Sequence, residues 1–337
     1  MQTILARQWE KRGGSVAACH LCAHRCGLKD GERGLCQVRV NQGGELFTLN
    51  YGYKGALAMD PVEKKPLYHF LPGTLTFSLG APGCNFDCLG CQNHSLAHPG
   101  KSFPGVKDSV DPSALVDLAL ESGAKSMSFT YSEPTVFFEY AQDTGTLAEK
   151  KGLYNIWVTN GYFTPSTLED LDYVRAMNID LKGFTEDFYS KVTAGRLEPV
   201  KKAIEASFRK GIWVELTTLL IPTVNDKDED LDKLSAFIAA LSPDIPWHIS
   251  RFMPLHKQSH LYKTPRELLL RAREIGKKNG LNYVYIGNLE GPGYTDTACP
   301  ECGTLLVGRA GYLVTTMRLG KDGKCPHCGT KIAGVWG

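Results

Sequence analysis

Eleven cysteines fall into three clusters and leave none over: Cys19, Cys22, Cys26 and Cys36; Cys84, Cys88 and Cys91; Cys299, Cys302, Cys325 and Cys328. An odd total argues against a fully disulfide-bonded secreted scaffold. In a reducing compartment, clustered thiols at short spacing are metal ligands far more often than disulfides. The central cluster has the spacing Cys-x3-Cys-x2-Cys. Three thiolates hold three irons of a four-iron, four-sulfur (4Fe-4S) cluster and leave the fourth iron open, whereas electron-transfer clusters use four cysteines. The missing ligand predicts a catalytic cluster; the competing reading is a zinc site that borrows a distant ligand. The last cluster consists of two similar knuckles, Cys299-Pro300-Glu301-Cys302-Gly303 and Cys325-Pro326-His327-Cys328-Gly329. They predict a closed four-thiolate site of zinc-ribbon or rubredoxin type, holding zinc or iron. The first cluster, Cys-x2-Cys-x3-Cys-x9-Cys, lacks paired knuckles and has His20 and His24 nearby as alternative ligands. Zinc is the favoured reading there and an auxiliary iron–sulfur cluster its rival, because thiolates serve both metals.

The elements that position these residues divide the chain into three. Residues 1–70 combine the first cysteines, glycine turns and short alternating runs, which predicts a small metal-stapled, strand-rich module. Residues 296–337 form a second small module around the last cysteines. Between them, residues 71–295 alternate strands and helices. The candidate strands are Leu75–Leu79, Ser126–Thr130, Asn155–Thr159, Asn178–Leu181, Ile212–Leu220, His248–Phe252 and Tyr283–Ile286. Helix starts are marked by Asp111-Pro112, by Thr164-Pro165 and by a capping box at Thr264-Pro265-Arg266-Glu267; Gly123 and Gly280 suit helix ends. This alternation predicts an α/β fold, a partial (β/α)6 TIM-like barrel with a parallel sheet and right-handed crossovers. Chemistry in such folds gathers at the C-terminal ends of the strands.

The cysteine spacing after the first of these strands resembles the radical S-adenosylmethionine (SAM) superfamily, over about 220 residues. Later strand ends carry the same resemblance. Thr130-Tyr131-Ser132-Glu133-Pro134 stands where the superfamily has a Gly-Gly-Glu-Pro-like segment against the SAM amino group, with Tyr131 and Ser132 in place of the glycines. Val158-Thr159-Asn160-Gly161 and Asp180-Leu181-Lys182 resemble segments of the enzymes that activate glycyl radical proteins, such as pyruvate formate-lyase activating enzyme. Val158 replaces an aspartate of those enzymes, which removes a cation site built on it. Phe252-Met253-Pro254-Leu255-His256 resembles a strand end whose histidine lies near SAM, while Gly287–Gly291 follows the last strand and is placed to close the site. The resemblance implies SAM contacts from Ser132, Glu133, Asn160, Asp180, Lys182 and His256. His248 and Arg251 are further polar residues in a strand-like run.

The layout as a whole resembles one branch, the radical SAM protein of the AmmeMemoRadiSam system. Cys19-His20-Leu21-Cys22, Val62-Glu63-Lys64-Lys65-Pro66-Leu67-Tyr68-His69-Phe70, Cys91-Gln92-Asn93, Trp247–Phe252 and Tyr285-Ile286-Gly287-Asn288 carry it. It implies reductive cleavage of SAM by a 4Fe-4S cluster, and hydrogen abstraction from a substrate by the resulting 5′-deoxyadenosyl radical. It also implies an electron donor of flavodoxin or ferredoxin type and Memo-like and AMMECR-like partner proteins. A glycyl radical activating enzyme is the second reading, and a non-catalytic zinc scaffold a third.

Composition narrows the rest. Hydrophobic residues make up 42% and charged residues 22% of the 337, which excludes wholesale disorder. Lys plus Arg number 38 and Asp plus Glu 36, a formal charge of +2, so nothing in the charge balance calls for nucleic acid or an anionic membrane. No apolar run reaches the roughly 18 residues that span a bilayer. The stretch Met1–Ser15 is polar, with no signal-peptide core, and the expected location is the cytoplasm.

Overall fold

The computed structural model describes residues 4–337; Met1–Thr3 of the polar amino-terminal stretch lie outside the described residues. Its centre is an eight-stranded open sheet. In chain order the strands are β1 (Ala56–Pro61), β2 (Leu75–Gly80), β3 (Ser126–Phe129), β4 (Tyr154–Thr159), β5 (Ala176–Asp180), β6 (Trp213–Leu220), β7 (Trp247–Arg251) and β8 (Val284–Gly287). Strands β2 to β8 are parallel and lie side by side in sequence order; β1 pairs antiparallel with β2 at one edge. All seven predicted strands are present. The sheet curls without closing, because β1 and β8 remain edges. The C-terminal hairpin Leu305–Ala310/Leu313–Met317 bridges the two sides. Arg309 donates to the Tyr68 carbonyl just after β1 and faces Glu63 at 3.6 Å, while Thr297 meets the Tyr285 hydroxyl of β8 at 2.8 Å.

Helices 112–121, 138–150, 165–169, 197–209, 228–241 and 266–278 join the parallel strands. Two start as their caps predict: Asp111 accepts from the Ser113 amide at 2.8 Å, and Thr164 accepts from Thr167 at 3.3 Å. Gly123 and Gly280 follow their helices with φ of +73° and +91°, where a Cβ would be strained. The capping box at Thr264 does not form. Its hydroxyl donates to the Leu220 carbonyl and accepts from the Phe252 amide, so the tie between strand ends takes the place of the cap. Apolar side chains from helices and strands fill one large core, with Trp157, Phe129, Ile179, Leu216 and Trp247 all buried.

The amino-terminal unit holds two small three-stranded sheets. One contains the hairpin Arg39–Gln42/Glu45–Thr48, turned by Gly43 and Gly44, both with positive φ. The unit docks on the core through Cys22 bridging to Phe163 and through Thr164, whose hydroxyl donates to the His20 carbonyl.

Candidate functional site

The loop after β2 carries Cys84, Cys88 and Cys91. It is clamped from behind by one irregular helical turn, Tyr189–Thr193: the amides of Asp87 and Leu89 donate to the carbonyls of Thr193 and Val192 at 2.9 and 3.0 Å. The three cysteines open onto a cavity of about 1520 Å³ at the C-terminal ends of the parallel strands. Ser132, Glu133, Asn160, Asp180 and Lys182 line the same cavity, each from the end of β3, β4 or β5. Strand alternation puts Asp180 and Lys182 on one face, and they form an ion pair at 2.7 Å. Burial opposes the Lys182 charge, but the Asp180 carboxylate outweighs it, so the ammonium is held above its ordinary value. Asn160 donates to the Asn85 side chain at 2.7 Å and lies 3.9 Å from the Cys84 sulfur. Ser132 donates to the Ala81 carbonyl, which fixes the strand end beside the cysteine loop.

Glu133 is buried and already well supplied. One oxygen accepts from Thr135 and Thr159, and the other accepts only from the Asn160 amide at 2.8 Å. That second oxygen keeps a lone pair for a ligand ammonium, so the side chain both ties the ends of β3 and β4 together and faces the cavity. His256 is placed differently. It stacks on His94 with ring centroids 3.8 Å apart and is not among the cavity walls. Lys182→Ala removes a cation that the pair with Asp180 holds in place. Charge-assisted contacts are worth roughly 1.5–3 kcal/mol, so SAM binding should weaken about tenfold to a hundredfold with iron content unchanged, as equilibrium dialysis with labelled SAM would record. Unchanged binding would remove Lys182 from the ligand site.

Several cavity residues were not picked out from sequence as site residues. Glu63, Lys64, Lys65 and Tyr68 line it from the segment after β1, and Arg309, Ala310, Gly311 and Tyr312 from the C-terminal hairpin. Behind the first group, Asp60 accepts from Lys64, Lys65, Ser78 and Tyr131; burial opposes its charge, but those donors hold its carboxyl well below the usual range. Tyr131, which replaces a glycine of the resembled motif, adopts φ +69° to reach Asp60. His248 also lines the cavity and meets the buried Glu215 at 2.6 Å. His248 is one of the polar residues that the strand-like run already marks in the sequence; nothing local signals the hairpin.

The C-terminal quartet matches a single-ion site. Cys299 and Cys328 lie 3.6 Å apart, and Cys302 and Cys325 3.7 Å apart. Four ligands at about 2.3 Å around one tetrahedral zinc stand about 3.8 Å apart. Thr330 beside Cys328 lowers its thiol to about 6, which favours the thiolate that a metal needs. Cys302→Ser or Cys328→Ser should therefore remove one metal ion per chain. The thermal midpoint should fall by roughly 2 °C for each kcal/mol lost, and a midpoint and metal content equal to wild type would rule the site out.

The comparisons with known proteins agree with this geometry. The model of the Radical SAM superfamily matches residues 79–235. The uncharacterised protein MJ0808 of Methanocaldococcus jannaschii is 42% identical over 303 residues, covering 89% of this chain and 90% of that protein. A probable GTP 3',8-cyclase of Methanococcus vannielii is 25% identical over 209 residues, 59% of this chain and 64% of that protein. Among solved structures, Streptococcus suis SuiB bound to S-adenosylmethionine superposes with a TM-score of 0.50 at 16% identity, over 69% of this chain and 53% of that one. The chain belongs to the radical SAM superfamily. That family implies a 4Fe-4S cluster and SAM, and the three clamped cysteines opening on one large cavity fit both. No helix among the described residues is long and apolar enough to cross a membrane.

Proposed function

We propose that this protein is the radical SAM enzyme of an AmmeMemoRadiSam-type system, and that it abstracts a hydrogen atom from a substrate held in the strand-end cavity. One observation carries the radical SAM part of the reading: Cys84, Cys88 and Cys91 share that cavity with Ser132, Glu133, Asn160, Asp180 and Lys182. When bound, a 4Fe-4S cluster and SAM supply a 5′-deoxyadenosyl radical by one-electron cleavage of the C5′–S bond. The chain's own residues do the rest. The three cysteines would hold three irons of the cluster and leave the fourth open to SAM. The free lone pair of Glu133 Oε2 receives an ammonium, and Lys182, steadied by Asp180, receives an anionic group. The C-terminal hairpin and the segment after β1 form part of the cavity wall and would limit the water that reaches a reactive intermediate. A low-potential donor of flavodoxin or ferredoxin type delivers the electron, Memo-like and AMMECR-like proteins are the companions, and zinc occupies the Cys299–Cys328 site. Anaerobic reconstitution with iron and sulfide, followed by SAM and dithionite, tests the core of this reading. The expected products are 5′-deoxyadenosine and methionine, and S-adenosylhomocysteine alone would refute it.

A further inference from the structure

The amino-terminal quartet differs from the carboxy-terminal one in its spacing. Cys19, Cys22, Cys26 and Cys36 all line one small cavity, together with His24, Arg39 and Asn85. Among the described residues, only the Cys299–Cys328 quartet brings three or more metal-ligating atoms within 4.8 Å of one another. The amino-terminal sulfurs therefore stand further apart than the thiolates of one tetrahedral ion, which draws them to about 3.8 Å. The Cys84–Cys91 trio stands open in the same way. Thiolates that bind separate irons of one cube are necessarily further apart than thiolates sharing one ion.

The backbone that carries these cysteines is fixed by its own hydrogen bonds. Cys19 sits in a strand paired with Trp9, and its amide donates to the Cys26 carbonyl at 2.9 Å. Gly34, beside Cys36, donates to the Arg39 carbonyl at 2.9 Å. Of the two nearby histidines, His20 has both ring nitrogens engaged and His24 has one, Nε2. His20 has one ring nitrogen 3.3 Å from Glu10 and the other 3.4 Å from Arg25, and His24 Nε2 donates to the Asn85 carbonyl at 2.7 Å.

The walls also carry donors that lack partners. Arg39 is 2% exposed and Asn85 4%, yet Arg39 Nε and Asn85 Nδ2 have no hydrogen-bond partner. Inorganic sulfides and ligating thiolates accept such N–H groups. Arg39 Nη1 already lies 3.6 Å from the Cys19 sulfur, and its cation, paired with Glu139, offsets the negative charge of a thiolate-bound cluster. From this geometry we infer that Cys19, Cys22, Cys26 and Cys36 hold an auxiliary four-iron, four-sulfur cluster with every iron bound by protein, and not a zinc ion. Asn85 directly follows Cys84, so this site and the Cys84–Cys91 site share a wall.

The test uses the full chain with Cys84, Cys88 and Cys91 all replaced by Ala, reconstituted anaerobically with iron, sulfide and zinc. The expected result is about four irons and four acid-labile sulfides per chain, a 4Fe-4S Mössbauer signature, and loss of both on adding Cys22→Ser and Cys36→Ser. Zinc in place of sulfide in the triple variant overturns the inference. Because that variant lacks the proposed SAM site, the result stands apart from any failure of SAM cleavage. If the triple variant does not fold, the wild-type chain decides: about eight irons and eight sulfides, of which SAM perturbs the spectrum of only half, supports the second cluster, and four irons with zinc refutes it.

Discussion

Cys84→Ala, Cys88→Ala and Cys91→Ala should each abolish reductive SAM cleavage and lower the iron content by about four per chain. The effect should be chemical and not a failure to fold. The loop that carries the cysteines keeps its backbone bonds to Val192 and Thr193, and Gly83 donates to the Leu96 carbonyl at 3.0 Å, whatever stands at the three positions. The amide of Phe86 donates to the Cys84 sulfur at 3.4 Å and the Asn160 side chain lies 3.9 Å from it, two contacts against the larger set of backbone bonds that remain. Far-ultraviolet circular dichroism should therefore match wild type while 5′-deoxyadenosine disappears. Burial pushes the Cys88 thiol up to about 11, so the empty site is protonated at neutral pH and loading releases protons. Reconstitution should accordingly run faster at pH 8.5 than at pH 6.5. Undiminished 5′-deoxyadenosine formation by any one of the three variants would remove the trio from the chemistry.

Much of the frame around that trio was legible in the sequence, for identifiable reasons. The parallel strands are short apolar runs bounded by helix starts, and Asp111-Pro112 and Thr164-Pro165 announce those helices by their own side-chain chemistry. Strand β1 escaped notice because Ala56-Leu57-Ala58-Met59-Asp60-Pro61 has no β-branched residue and no clean alternation; only its pairing with β2 makes it a strand. The cysteine loop and the Asp180–Lys182 pair are local in sequence, so spacing exposed them. The Asp60 network and the contribution of Arg309 and Tyr312 are not local. Arg309 reaches Tyr68 across 241 positions, and no periodicity encodes such a contact. His256 shows the opposite case. Its motif is local, but the chain turns there with φ +51° and carries the ring to His94.

Glu215→Gln should produce the largest loss of stability, on the order of 4 kcal/mol. Glu215 is fully buried in β6 and accepts four hydrogen bonds: the amides of Tyr68 and His69, the Trp213 indole and His248. It thereby ties the cavity-lining segment after β1 to β6 and β7. Glutamine offers one oxygen where the carboxylate offers two, so about two donors and its own amide lose partners, at roughly 1–3 kcal/mol each. Total stabilities of about 5–15 kcal/mol make this a large fraction, visible in urea unfolding. The same knot predicts acid sensitivity. Burial lowers His69 to about 4 from 6.5; its Nδ1 donates to the Ala333 carbonyl and its Nε2 accepts from the Tyr285 hydroxyl, so the neutral ring is the one that fits. The unfolded chain takes up a proton below pH 6.5 and the folded chain does not until about pH 4, so stability falls as pH drops through that window. At 1.36 kcal/mol per unit the His69 contribution amounts to roughly 3 kcal/mol. Glu215, whose ionisation burial opposes but the hydrogen bonds from His248 and Trp213 sustain, adds a further loss below its ordinary value of 4.5. His69→Gln should flatten the slope of stability against pH between 6.5 and 4 while leaving the acid limb from Glu215. A slope in that variant equal to wild type would show that the pH dependence arises elsewhere.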